Sequence, residues 1–242
     1  MSASKTGKLY LIPTLLGDTL PEKVLPEGTL NIIRSLDYFI VEQIRTSRRF
    51  LVKAGLTKPI DSISFVELNK HSKIDDLLTF LHPALEGKNI GLMSEAGTPC
   101  IADPGSFVVD AAHQSGIHVV PLSGPSSIIL ALMASGFNGQ QFMFHGYLPI
   151  PTNERSRMIR QIESQSRESG QTQIFIETPY RNRQMLESLL KTCHSATMLC
   201  VATNISMEDE SVISLPVHKW EGKIPEFDKK PAVFLLWVKP RN

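Results

Sequence analysis

The sequence predicts an α/β protein of two α/β domains, the first on a mostly parallel sheet and the second on a mixed sheet, with a ligand cleft between them. Three observations predict it. Short apolar runs alternate with longer amphipathic stretches through the first half, the pattern of a parallel sheet covered by helices. The second half repeats the theme but closes on two apolar runs, Ser211–Leu215 and Ala232–Val238, with no helical stretch between them, so antiparallel edges are expected there. Gly- and Pro-rich loops follow three apolar runs of the first half, where open α/β sheets bind ligands.

Taken in order, Leu9–Ile12 reads as a first strand, Thr29–Leu36 as a helix and Phe39–Val41 as a short strand. Arg45–Ala54 reads as a helix and Ile60–Val66 as a weak strand. Ile74, Leu77, Leu78, Leu81 and Leu85 recur at helical spacing, which makes Lys70–Glu86 an amphipathic helix. Strand Ile90–Met93, helix Pro104–Ser115 and strand His118–Leu122 complete a first domain over 1–122. A second, over 123–242, opens with an apolar helix Pro125–Ser135, for which Ser123 is the expected cap and Pro125 the first-turn residue. Strand Gln141–His145, a polar helix Asn153–Arg167, strand Gln173–Glu177, helix Arg181–Thr192 and strand Met198–Ala202 follow.

Composition bounds the function. Hydrophobic residues are 42% and charged residues 20% of 242, enough apolar surface to fill one large core or two smaller ones, which excludes long disorder. A formal charge of +1 gives no bulk attraction to nucleic acid or to an anionic membrane and leaves only local patches to supply one. The longest apolar runs, Ile128–Ala134 and Ala232–Val238, fall well short of the ~20 residues of a spanning helix, and Met1–Lys8 is polar. No membrane association is expected. Cys100, Cys193 and Cys200, an odd set without metal-type spacing, read as free thiols of a reducing, cytoplasmic compartment, and no metal site is expected.

The three loops are Pro13–Asp18, Ser94–Gly105 and Pro121–Ser127. Gly lets a ligand approach the backbone, Pro fixes the loop before binding, and small hydroxyl residues bond ribose, carboxylate or phosphate. Neither a dinucleotide fingerprint nor a phosphate loop is present. The residues alone therefore reach a small polar ligand in a cleft.

Several side chains are candidates for chemistry or contact. Glu42 and Arg45, three residues apart after a strand, suit either acceptor orientation or a salt bridge at a helix start. Arg45, Arg48, Arg49 and Lys53 share a helix face, which suits nucleic-acid phosphates or plain solvent. The arginines of Asn153–Arg167, Arg155 among them, are diluted by Glu154 and Glu163 and read as solvated surface. His145 reads as a packed or capping histidine, His71 as exposed, and Phe175, Trp220 and Trp237 as core.

The loops in order carry a resemblance. Leu9–Thr14, Glu42-Gln43-Ile44-Arg45-Thr46-Ser47, Ser94-Glu95-Ala96-Gly97-Thr98-Pro99 with Asp103-Pro104-Gly105, and Ser123-Gly124-Pro125-Ser126-Ser127 match in sequence. His145–Pro149 and Glu177-Thr178-Pro179-Tyr180-Arg181 continue the series. Over roughly residues 8 to 203 the chain resembles the tetrapyrrole-methylase superfamily, and within it the small-subunit ribosomal RNA cytidine-2′-O-methyltransferases. That resemblance implies S-adenosylmethionine as cofactor, methyl transfer as activity and a homodimer as assembly. It implies cofactor contacts at Pro13, Ser94, Glu95, Ala96, Gly97 and Thr98, at Ser123, Gly124, Pro125, Ser126 and Ser127, and at Tyr147, Leu148, Ala202 and Ala232.

The chain departs from the RNA branch on the acceptor side. Gln43 stands where the branch has an acidic residue, Glu95 where it has Asp, and Val66-Glu67-Leu68-Asn69 keeps only Glu and Asn of an H-E-H-N motif. Ala202-Thr203-Asn204-Ile205-Ser206 lacks both charges of an R-E-L-T-K motif. An alcohol acceptor needs a group to take its proton or steady developing charge, and Glu42, Arg45 and Glu67 are the candidates, with Asp103 behind them. The acceptor implied is a ribose 2′-hydroxyl of ribosomal RNA. A tetrapyrrole or other small-molecule acceptor, or a non-catalytic S-adenosylmethionine-binding module, stays open on the residues alone.

Overall fold

A computed structural model describes residues 6–68, 74–227 and 229–240. The chain divides into two units, Met1–Ser126 and Ser127–Asn242. His71, Asn69 and the expected helix start at Lys70 lie outside the described residues.

The first unit contains β1 (Lys8–Ile12), α1 (Pro21–Val24), α2 (Glu27–Ser35), β2 (Tyr38–Val41), α3 (Ile44–Lys53) and β3 (Ser64–Glu67). It continues with α4 (Ile74–Leu85), β4 (Ile90–Met93), α5 (Gly105–Gln114) and β5 (His118–Pro121). Its five strands lie in the order β3-β2-β4-β1-β5, each pair parallel. The two-residue period of a strand explains the packing. Phe39 and Val41 of β2 enter one core with Ile12, Leu30, Ile33 and Leu51. Ile40, between them, enters the opposite core with Leu9, Leu81, Leu92 and Val108. A sheet buried on both faces is apolar throughout each central strand, which is why Ile90–Met93 has no polar residue.

The second unit contains α6 (Ser127–Ser135), β6 (Phe142–Tyr147), α7 (Thr152–Ser169), β7 (Thr172–Glu177) and α8 (Asn182–Thr192). Then come β8 (Met198–Thr203), β9 (Ser211–Pro216) and β10 (Ala232–Trp237). The order is β6-β7-β10-β8-β9; β6 and β7 run parallel and the other pairs antiparallel. The core between this sheet and its helices centres on Phe175 and Phe234, whose stacked rings lie 5.7 Å apart, with Ile159, Leu186 and Trp220 around them.

Five expectations are corrected. Ile60–Val66 is not one strand: a 3-10 turn, Ile60–Ser62, precedes β3, because Pro59 starts a tight turn closed by its own carbonyl. The single turn α1, with Pro21 in its first turn, is additional. Helix α6 starts at Ser127 and Ser123 does not cap it: the Leu122 amide donates to Leu11 and the Ser123 carbonyl accepts from Thr29 Oγ1 at 3.0 Å, so 122–123 is tied down as loop. β10 is not an edge but lies between β7 and β8, and its AVFLLW sequence is buried but for Trp237, which is half-buried. Arg155 of α7 is not solvated: it is 1% exposed, with Nε donating to Ser188 Oγ and Nη1 to the Ile150 carbonyl.

Candidate active site

At the carboxyl edge of the parallel sheet, four loops are tied to one another by short contacts. Thr14, after β1, donates its amide to the Gly97 carbonyl at 2.9 Å and its hydroxyl to the Ser94 carbonyl. Gly97 itself has φ +73°, the left-handed region, and a Cβ there would meet Leu16 Cδ2 at 2.9 Å. Gly124, after β5, packs on Pro13 so closely that a Cβ would lie 2.2 Å from Pro13 Cγ. The loops after β1, β4 and β5 thus meet in the first unit, and Pro13, Ser94, Gly97, Ser123 and Gly124 are brought together.

The loop after β4 is held from β2 as well. Glu42 Oε1 accepts the Glu95 amide at 3.1 Å. The carboxyl is half-buried, and its pKa is raised chiefly by burial, against the Glu95 hydrogen bond and with help from the negative charges of Asp103 and Glu95. Glu42 makes no salt bridge to Arg45, which is exposed and has no ion pair among the described residues. Thr46 Oγ1 lies 3.3 Å from Glu95 Oε1.

Glu67 does a different job from Glu42. From the end of β3 its Oε1 accepts the amide of Ile44, the first residue of α3, at 3.2 Å, while Gln43 Oε1 accepts the next amide. The two side chains close the N-terminus of α3 and hold Gln43–Thr46 in place. Sequence spacing gave no sign of this cap, because its partners are 23 residues apart.

Two buried polar atoms in this edge have no hydrogen-bond partner among the described residues, Ser94 Oγ and Asp103 Oδ2; the other Asp103 oxygen accepts the Gly105 amide at 2.7 Å. Cys100, at φ +71° in the same loop, has a thiol pushed up to about 12 by burial and then by the Asp103 charge, so it is no nucleophile at neutral pH. Beside these loops a cavity of about 300 Å³ opens between Thr14–Gly17 and α3, with Thr46, Arg49 and Lys53 on one wall and Ser94–Ala96 on another.

In the second unit, Ala232 pairs with Glu177 on one side and Thr203 on the other, which sets Ala202, Thr203 and Ala232 together at one sheet edge. Leu148 is buried there in the core and Tyr147 is 56% exposed. Glu177 is buried and accepts from Thr178 N and Arg181 Nη2, both at 2.7 Å, while its second oxygen is unpartnered among the described residues. Asn204, at φ +48°, donates to both oxygens of Asp209, a loop built without the charges of the R-E-L-T-K motif. His145 bonds Gln173 Oε1 at 2.7 Å and is a packed histidine, not a base at this edge.

Comparison with known proteins gives these features a family. The model of the tetrapyrrole (corrin/porphyrin) methylases matches residues 8–219. A Vibrio cholerae protein named ribosomal RNA small subunit methyltransferase I is 30% identical over 94% of this chain and 76% of its own length. One of the same name from Thermotoga maritima is 32% identical over 76% of this chain and 78% of its own. Among solved structures, the uroporphyrin-III C-methyl transferase of Thermus thermophilus, complexed with S-adenyl homocysteine, has a TM-score of 0.58 at 15% identity, over 96% of this chain and 97% of that one, a likeness of fold. With most of its length matched, this chain belongs to the tetrapyrrole methylase family.

Proposed function

We propose that this S-adenosylmethionine-dependent methyltransferase methylates a ribose 2′-hydroxyl of small-subunit ribosomal RNA. One observation carries the reading: Glu42, a half-buried carboxyl of raised pKa at a sheet edge where loops meet, with its second oxygen unbonded among the described residues. A proton acceptor of that kind is what an alcohol needs and a pyrrole carbon does not. The relatives' names supply the RNA.

The residues present fit the cofactor. Ser94 Oγ is a buried hydroxyl without a partner among the described residues, in the loop that turns at Gly97, and it and the backbone groups of Ala96 and Thr98 suit an amino-acid carboxylate and ammonium. Bound S-adenosylmethionine supplies a methyl group already activated by its sulfonium. Pro13, Ser94–Thr98 and Ser123–Ser126 in the first unit, and Ser127, Tyr147, Leu148, Ala202 and Ala232 in the second, are the proposed contacts. Glu42 takes the hydroxyl proton on its free oxygen, Arg45 faces developing negative charge, and Glu67 positions Arg45 through α3. A dry, aligned site supplies the rest.

The compartment is cytoplasmic, supported by three unpaired thiols and by the lack, among the described residues, of a helix long and apolar enough to cross a membrane. The assembly is a homodimer, supported by exposed Phe142 and Met143 on the edge strand β6 and by exposed Ile129 and Met133 on α6. The test of the function is transfer of labelled methyl into small ribosomal subunits from cells lacking the protein. Label in ribose supports it, and label in a metabolite fraction alone overturns the acceptor.

A further inference from the structure

The cavity of the first unit has two chemically different ends. At one, Thr46 Oγ1 and the Glu95 carboxylate lie together, near Glu42. At the other are Arg49 and Lys53. From Thr46 to Lys53 is seven residues of α3, a rise of about 10 Å. The stripe of cations on α3 is also not uniform. Arg48 is turned to Asp61, and Lys53 holds Asp18 at 2.6 Å, but Arg45 and Arg49, one turn apart and exposed, have no ion pair among the described residues. The α3 N-terminus is closed by Gln43 and Glu67, so an anion drawn to this helix has the side chains and not the amides to bind.

We propose that the Lys53 end of this cavity is a phosphate site for the acceptor RNA strand, with Arg49 and Lys53 on one phosphate and Asp18 as the anion that the phosphate displaces from Lys53. This rests on the RNA reading above. Two cations one turn apart on one wall suit a backbone phosphate better than a single small carboxylate, which needs one charge and not two. Glu95 repels phosphate from its own end of the cavity, so the strand can enter in one sense, phosphate towards Lys53 and ribose hydroxyl towards Glu42. Asp18 sits on a loop with its side chain 97% exposed, and a phosphodiester exchanges for it without opening any core.

The test is filter binding of the full chain to unmethylated small-subunit ribosomal RNA over a range of salt, with calorimetric titration of S-adenosylmethionine on each variant as a check of folding. Arg49→Glu is expected to weaken RNA binding about tenfold or more and to flatten the slope of log K against log salt by roughly 0.7 to 1. Asp18→Asn is expected to tighten RNA binding, a sign that a merely structural role does not give. Arg157→Glu on α7, with the same change of net charge, is expected to leave the slope unaltered. Wild-type affinity and slope in Arg49→Glu, while the wild type binds RNA, overturns this site alone. Wild-type protein that binds the cofactor but no ribosomal RNA overturns the acceptor reading beneath it.

Discussion

Glu42 Oε1 accepts the backbone amide of Glu95 at 3.1 Å, so a side chain from the end of β2 fixes the first turn of the loop after β4. The contact places one carboxyl both as a clamp on the proposed cofactor loop and as the proposed proton acceptor, and it separates two effects of one substitution. Glu42→Gln keeps an acceptor for the Glu95 amide and loses the base. Cofactor affinity is expected to survive in this variant, with methyl transfer falling by about 10²- to 10⁴-fold. Equal loss of both, by calorimetry and labelled-methyl assay, contradicts the assignment.

The raised pKa of Glu42 gives a pH dependence with a definite sign. The proposed base is competent when deprotonated, so activity is expected to rise with pH through a midpoint above the ordinary glutamate value. Stability runs the other way. The folded state holds this proton more tightly than the unfolded state, so its contribution is present at low pH and lost as pH rises through the raised value. Glu42→Gln removes both trends, checked by pH–rate profiles and by urea unfolding at several pH values.

Glu67 is expected to behave as a cap and not as a base. Glu67→Gln retains most activity, since an amide oxygen still accepts the Ile44 amide. Glu67→Ala costs about 0.5–2 kcal/mol in urea unfolding and lowers activity through α3. A loss in Glu67→Gln as large as in Glu42→Gln makes Glu67 catalytic instead.

Gly124 and Gly97 predict unlike costs. At Gly124 an added methyl meets the rigid ring of Pro13 at 2.2 Å, so Gly124→Ala costs about 1–3 kcal/mol and moves the loop after β1. At Gly97 the methyl meets the flexible end of Leu16 and the chief cost is the left-handed backbone, about 1 kcal/mol. Denaturant unfolding with cofactor titration checks both; weaker cofactor binding is expected in each.

Much of this was legible in the sequence because it is local. The alternation of Phe39, Ile40 and Val41 between two cores is a two-residue period, and the loops that meet at the sheet edge announce themselves by Gly and Pro. What was not legible depends on partners distant in sequence. Glu67 caps a helix 23 residues before it; Arg155 is buried because Ser188, 33 residues on, meets it; β10 enters the middle of its sheet by pairing with strands made much earlier. Helix α6 starts two residues later than the sequence suggests for the same reason, since Leu11 and Thr29 hold 122–123 out of the helix.

The most direct measurement is a map of ribose methylation in small-subunit ribosomal RNA from cells carrying the wild-type chain, the Glu42→Gln variant, or neither. A 2′-O-methyl group present with the wild type and absent from the other two is expected. Ribosomal RNA whose ribose methylation is the same in all three contradicts it.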